Sequence, residues 1–91
     1  MTEETSHTFT VHDPIGLHAR PVGQIVTLVR ERGVSVTLRD STGKEASATS
    51  ALRMLALKIK NGDSLEIIVE SDDQALALGL AKAIEALVNE G

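Results

Sequence analysis

The stretch HTFTVHDPIGLHARPVGQIVTLVRERG, residues 7–33, changes its hydrophobic period partway along. Up to His12 it alternates, with Phe9 and Val11 on one face and Thr8, Thr10 and His12 on the other, as a half-buried strand does. From Pro21 to Arg32 the period is helical: Val22, Ile25, Val26 and Val29 fall at i, i+3, i+4 and i+7, and Gly33 supplies a stop. A strand therefore feeds a helix through a short loop, and that loop carries a histidine and an arginine that no ordinary turn requires.

The same two periods recur along the rest of the chain. VSVTLR (34–39) alternates again and is expected to bury Val34, Val36 and Leu38. DSTGK (40–44) reads as a hairpin turn and EASATS (45–50) as a weaker returning strand. SALRMLALKI (50–59) is a short helix opened by Ser50 as N-cap and closed before Asn61-Gly62. SLEIIVE (64–70) is a strand with Leu65, Ile67 and Val69 inward. Ser71 and Gln74 then form a capping-box start, with Asp72 and Asp73 suited to the positive end of the helix dipole. Leu76, Leu80, Ala83, Ile84 and Leu87 mark one face of the helix that follows. The order βαββαβα, with one apolar face per strand, predicts an α+β fold: a four-stranded antiparallel sheet with three helices on one face.

Ninety-one residues suit a single domain, residues 1–91, with 1–6 expected as a flexible start. The absence of cysteine removes disulfides, thiolate metal sites and cysteine nucleophiles, and fits a reducing cytoplasm. No apolar run approaches a membrane span, and MTEETSHTF lacks the features of a signal peptide, so the expectation is a cytoplasmic protein without membrane insertion. His7 and His12 are expected at the surface, and no metal site is expected from the three histidines.

The net charge of −4 is unevenly laid out. Residues 16–60 hold eight of the nine basic side chains against three acids, whereas residues 61–91 hold Lys82 against seven acids. This asymmetry favours a partner with an acidic patch facing the middle of the chain. A single aromatic residue, Phe9, and the lack of a dense basic cluster argue against nucleic acid.

The candidate chemistry lies in GLHARP, Gly16 to Pro21. Pro21 has no N–H and fits only the first turn of a helix, which places His18 at or just before the helix N-terminus. Unpaired amides of Ala19 and Arg20 and the positive dipole end make that position receptive to an anion and favour a neutral, nucleophilic imidazole. Arg20 adds a fixed charge and a fork of donors matched to phosphate oxygens. Gly16 permits a sharp turn and is expected to leave one side of the imidazole open to a partner. Together these residues describe a histidine able to accept a phosphoryl group on a ring nitrogen.

On GLHARP, and on the length and element order around it, the chain resembles the HPr family, the histidine-containing phosphocarriers of the bacterial phosphoenolpyruvate-dependent sugar phosphotransferase system; the likeness extends over roughly residues 7 to 89. The resemblance implies an open-faced β-sandwich. It implies phosphoryl transfer from Enzyme I to Nδ1 of His18 and onward to IIA domains of sugar transporters, with Arg20 stabilising the phosphate and no cofactor. It implies docking through the first and second helices: Gly16, Val22 and Gly23 on one side, Ala51, Leu52, Arg53 and Leu55 on the other, with the Arg30 region at the rim. A monomer is expected, since the partners must reach His18 in turn.

Ser50 matches the serine that HPr kinase/phosphorylase modifies in many Gram-positive members, although ATSALRML departs from the sequence that kinase usually meets, and Lys58 stands where many members have a small residue. Ser50 thus has two readings, N-cap and regulatory phosphoserine. Two functional alternatives accompany the sugar carrier: a carrier in a regulatory branch, nitrogen-related or serving dihydroxyacetone kinase, and a Ser50-phosphorylated regulatory binding module. The presence of His18 counts against the latter.

Overall fold

The computed structural model describes residues 3–90. Seven elements follow in order: β1 (Glu3–Thr10), α1 (Ala19–Arg32), β2 (Ser35–Asp40), β3 (Glu45–Ser47), α2 (Ala51–Ala56), β4 (Ser64–Ser71) and α3 (Gln74–Glu90). The strands form one antiparallel sheet in the order β1-β4-β2-β3. The most apolar strand, β4, lies inside the sheet, bonded to β1 on one edge and β2 on the other, with Ser64, Glu66 and Glu70 on its uncovered face not buried.

Alternation decides which face is covered. Phe9 of β1, Val36 and Leu38 of β2, Ala46 of β3, and Leu65, Ile67 and Val69 of β4 point into one core, where they meet Val22, Ile25 and Val29 of α1, Met54 of α2 and the inner face of α3. Arg39 lies on the opposite face of β2 and bonds Glu45 of β3 and Glu66 of β4, so one guanidinium ties three strands together. Ile68, on that same face, is nevertheless buried between its neighbours Ser6 and Thr37.

Several element boundaries differ from the sequence expectation for local reasons. β1 begins at Glu3 rather than His7, because residues 3–6 extend the ladder with Ser71 to Ile68; Met1 and Thr2 of the expected flexible start lie outside the described residues. β3 stops at Ser47, where the Ser47 and Thr49 hydroxyls pair at 2.9 Å and the Ser50 N–H donates to the Ser47 carbonyl. α2 ends at Ala56, and Lys58 adopts φ 55°, a left-handed conformation that an L-residue with a side chain adopts at a cost.

α3 opens on Asp73, not Ser71. The Asp73 carboxylate accepts from the Leu76 N–H at 3.1 Å, while the Ser71 hydroxyl, at the end of β4, accepts from the Asp73 N–H. The buried face of α3 is Ala77, Leu80, Ala81, Ile84 and Val88, rotated from the expected one. Leu76 is exposed, and Ala83 and Leu87 are only partly buried. Small residues at 77 and 81 let the helix lie close to the sheet, which leucines there would prevent. Val34 is likewise partly buried at the rim of the core.

His7 is not a simple surface residue. It lies on the core-facing side of β1, stacked on Phe9 with ring centroids 5.9 Å apart and paired with Glu85 of α3. His12 is exposed, as expected.

Candidate functional site: the entrance to the first helix

The segment from Val11 to His18 is held from below by the turn that precedes β4. The Val11 N–H donates to the Asp63 carbonyl at 2.9 Å, and the Gly62 N–H returns a bond to the Val11 carbonyl at 2.8 Å. Asn61 donates through Nδ2 to the carbonyls of His12 and Asp13. The Leu17 N–H donates to the Ile59 carbonyl at 3.0 Å. This clamp fixes the loop immediately before His18, so the imidazole stands on a scaffold tied to β4 as well as to α1.

Gly16 sits where no other residue fits. Its φ is 84°, and a Cβ there would lie 2.3 Å from the Ile59 carbonyl oxygen. The reason for this glycine is thus backbone approach to the 59–60 segment. The expectation that it opens the imidazole to a partner is corrected: Gly16 is buried and offers no contact surface. Val22 is corrected in the same way, since it is fully buried in the core.

His18 is the N-cap of α1, with φ −131° and ψ 179°, and its carbonyl accepts the first helical bond from the Val22 N–H at 3.2 Å. Its side chain makes no capping bond, so the ring is not consumed by helix ending. With Pro21 lacking an N–H, the amides of Ala19 and Arg20 are left unpaired by the helix at its positive end. The imidazole has two unlike sides. Nε2 is buried without a hydrogen-bond partner, 3.7 Å from the carboxylate Oδ2 of Asp13, whereas the side chain as a whole retains 26% exposure. Of the two ring nitrogens, Nε2 is thus closed to a ligand in this arrangement.

Asp13 is the residue that sequence reasoning missed. It is buried, with Oδ1 accepting from the Ile15 N–H at 2.8 Å and its carbonyl accepting from the Gly16 N–H at 2.9 Å. The Asp-Pro pair announced a turn, but nothing in the spacing announced that the turn would point a carboxylate at His18.

The expected docking residues divide between surface and core. Arg20 is exposed and, with Gly23, Leu28 and Leu87, lines an open apolar groove between α1 and α3. A side chain at Gly23 would meet nothing within 4 Å, so packing does not demand that glycine. On α2, Ala51, Leu52 and Arg53 are exposed, Leu52 to 81%, while Leu55 turns toward the core and Met54 is fully buried. Ile15, 70% exposed beside the histidine loop, is a large apolar side chain that the reading of the sequence did not single out. Arg30 is exposed in the last turn of α1. Ser50 acts as N-cap of α2, its hydroxyl accepting from the Arg53 N–H at 3.3 Å.

The chain is similar to known proteins in both sequence and fold. The family model described as "PTS HPr component phosphorylation site" matches residues 5–90. The chain is 33% identical over 82 residues to the phosphocarrier protein HPr of Lysinibacillus sphaericus, covering 90% of this chain and 89% of that one. It is 35% identical over 81 residues to the phosphocarrier protein NPr of Proteus mirabilis, covering 89% and 87%. It is also 35% identical over 89 residues to the multiphosphoryl transfer protein of Salmonella typhimurium, covering 94% of this chain but spanning only 24% of that protein's length. Among solved structures, the HPr of Bacillus anthracis superposes with a TM-score of 0.79 at 25% identity, covering 93% of this chain and 96% of that one. The mycoplasma histidine-containing phosphocarrier protein superposes with a TM-score of 0.82 at 21% identity, covering 96% and 100%. Among the described residues, no helix is long and apolar enough to cross a membrane.

Proposed function

The chain belongs to the HPr family of phosphotransferase-system phosphocarriers, and on that premise we propose that His18 takes a phosphoryl group on Nδ1 from Enzyme I and passes it to IIA domains of sugar transporters. The observation that carries this reading is a half-buried imidazole at a helix N-terminus: Nε2 is buried while the side chain keeps 26% exposure, the ring makes no capping bond, and the helix leaves the amides of Ala19 and Arg20 unpaired. In the forward step the Nδ1 lone pair forms a bond to phosphorus as the bond from phosphorus to the donor breaks, and that electron pair leaves with the donor. Handing on the phosphoryl group reverses the roles, and the imidazole recovers its lone pair.

The site suits a carrier because it stabilises the added charge without enclosing it. The amides of Ala19 and Arg20, the helix dipole and the Arg20 guanidinium all favour phosphate oxygens. Solvent screens each of these interactions, which keeps the bound phosphoryl group transferable. The protein works in the cytoplasm as a monomer, presenting the same face to donor and acceptor in turn. Exposed Leu52 and Arg53 on α2, with Gly23 on α1, form that face. Ser50, which opens the helix bearing Leu52, is a site at which a kinase adds a second phosphate and repels the partner.

A second reading places the carrier in a nitrogen-related branch, and it rests on the 35% identity to the NPr of Proteus mirabilis. The two readings share the chemistry of His18 and differ in the acceptor. Incubation with Enzyme I and phosphoenolpyruvate should give an acid-labile gain of one phosphoryl group on the wild type and none on His18→Ala. Chasing the phosphorylated protein with sugar-transporter IIA or nitrogen-branch IIA then separates the branches. No gain on the wild type, with an Enzyme I active on its own carrier, would overturn the carrier reading.

A further inference from the structure

We propose that Asp13 is a positioning residue that fixes the tautomer of His18, holding the proton on Nε2 so that Nδ1 presents a lone pair to phosphorus; this rests on the reading of His18 as the phosphoryl acceptor. Three observations carry it. Nε2 of His18 is buried and has no hydrogen-bond partner, an unfavourable state for a polar group cut off from water. Among the described residues, Asp13 is the one carboxylate within 4 Å of that nitrogen, with Oδ2 at 3.7 Å. The Asp13 side chain is itself only 9% exposed, and its other oxygen, Oδ1, is already committed to the Ile15 N–H at 2.8 Å.

The chemistry follows from the atoms that remain. With Oδ1 engaged, Oδ2 is the oxygen turned to the histidine, and a carboxylate oxygen can only accept. A ring proton on Nε2 therefore gains a partner, and a ring proton on Nδ1 would instead set the Nε2 lone pair against an anionic oxygen. The separation is longer than a hydrogen bond, and such contacts commonly tighten when a reacting partner binds. During transfer the N–P bond forms at Nδ1 with Nε2 still protonated, so the ring passes through a cationic state. The Asp13 carboxylate lies beside the nitrogen that shares this charge. Nε2 keeps its proton throughout the step, and the carboxylate offsets the ring charge through it without touching the phosphoryl group.

The substitution Asp13→Asn tests this with almost no change of shape. The amide oxygen takes over the bond from the Ile15 N–H, which turns the amide NH2 toward His18. That NH2 donates, so it pairs with an Nε2 lone pair and drives the ring proton to Nδ1, where it blocks attack on phosphorus. We expect ring 15N NMR of the wild type to show neutral His18 with its proton on Nε2, and Asp13→Asn to show it on Nδ1. The initial rate of phosphorylation by phospho-Enzyme I should fall by about tenfold or more in the variant, short of the roughly 10⁴-fold that the wrong tautomer costs in a buried triad.

A wild-type tautomer protonated on Nδ1 would overturn the assignment, whether or not the variant folds. An Asp13→Asn protein with the wild-type tautomer and rate would overturn it too. Failure of the carrier reading looks different: the wild type itself would take up no phosphate, whatever the tautomer.

Discussion

At His18 the decisive feature is what the ring is not used for. An N-cap side chain ordinarily closes an open backbone donor, but this imidazole caps nothing and stays partly exposed. Arg20 adds charge beside it from an exposed position. We expect Arg20→Ala to retain the fold and to slow phosphoryl transfer by about tenfold to a hundredfold, less than the loss of a donor in a water-excluded site, because solvent already screens the guanidinium. Stopped-flow transfer from phospho-Enzyme I would measure this, and a wild-type rate would remove Arg20 from the chemistry. Gly16 is constrained by backbone alone. Gly16→Ala combines a disfavoured φ with a 2.3 Å approach to the Ile59 carbonyl, and should lower the thermal midpoint by roughly 10 °C. Calorimetry of the variant would test that. The position of His18 was legible in the sequence because Pro21 can sit only in a first helical turn. Asp13 was not, since its approach to the ring depends on how the 13–16 turn is clamped from residues 59–63.

Each secondary-structure element was legible to the extent that its own residues decide it. α1 is set by strong periodicity, and Gly33 stops it with φ 68° and an N–H bonded to the Val29 carbonyl. α3 shows the opposite case. Hydropathy draws attention to Leu76 and Leu87, whereas the distance between helix and sheet selects Ala77 and Ala81, and that distance is a tertiary quantity. The hairpin joining β2 and β3 is fixed by Asp40, whose Oδ1 accepts from the Thr42 hydroxyl and from the Thr42 and Lys44 N–H groups. The bond from the Thr42 hydroxyl, followed by those from the backbone, holds the Asp40 carboxyl below its ordinary value of 3.8. Because the folded value is depressed, the contribution to stability is present above 3.8 and is lost as pH falls through the lower folded value. Denaturation of Asp40→Asn across this window should show a weaker acid dependence than the wild type, and identical profiles would contradict it.

Across the whole molecule, the sequence specified the layers but left the strand order open. Alternation assigns one apolar face to each strand, and the helices must cover that face. The order β1-β4-β2-β3 is a matter of pairing, visible in hindsight through β4, whose run of Leu65, Ile67, Ile68 and Val69 is buried as an interior strand requires. Charge layout adds the partner side of the problem. The basic middle of the chain contains His18 and the exposed part of α2, so an acidic partner surface would meet both. Leu52, 81% exposed, contributes little to the core, and Leu52→Asp should leave stability within about 0.5 kcal/mol of wild type. It should lower kcat/KM for phosphorylation by Enzyme I about tenfold or more, as loss of a contact worth more than about 1 kcal/mol does. Steady-state kinetics with unchanged kcat/KM would place the docking surface elsewhere.

Whether Nδ1 of His18 carries the phosphoryl group can be read directly. The protein, labelled with 15N in its histidine rings, is phosphorylated with Enzyme I and phosphoenolpyruvate and observed by NMR through its 31P and ring 15N signals. We expect a single phosphohistidine at His18, with phosphorus bonded to Nδ1 and Nε2 free of it. Phosphorus on Nε2 of His18, or on His7 or His12, would contradict the mechanism drawn from this site.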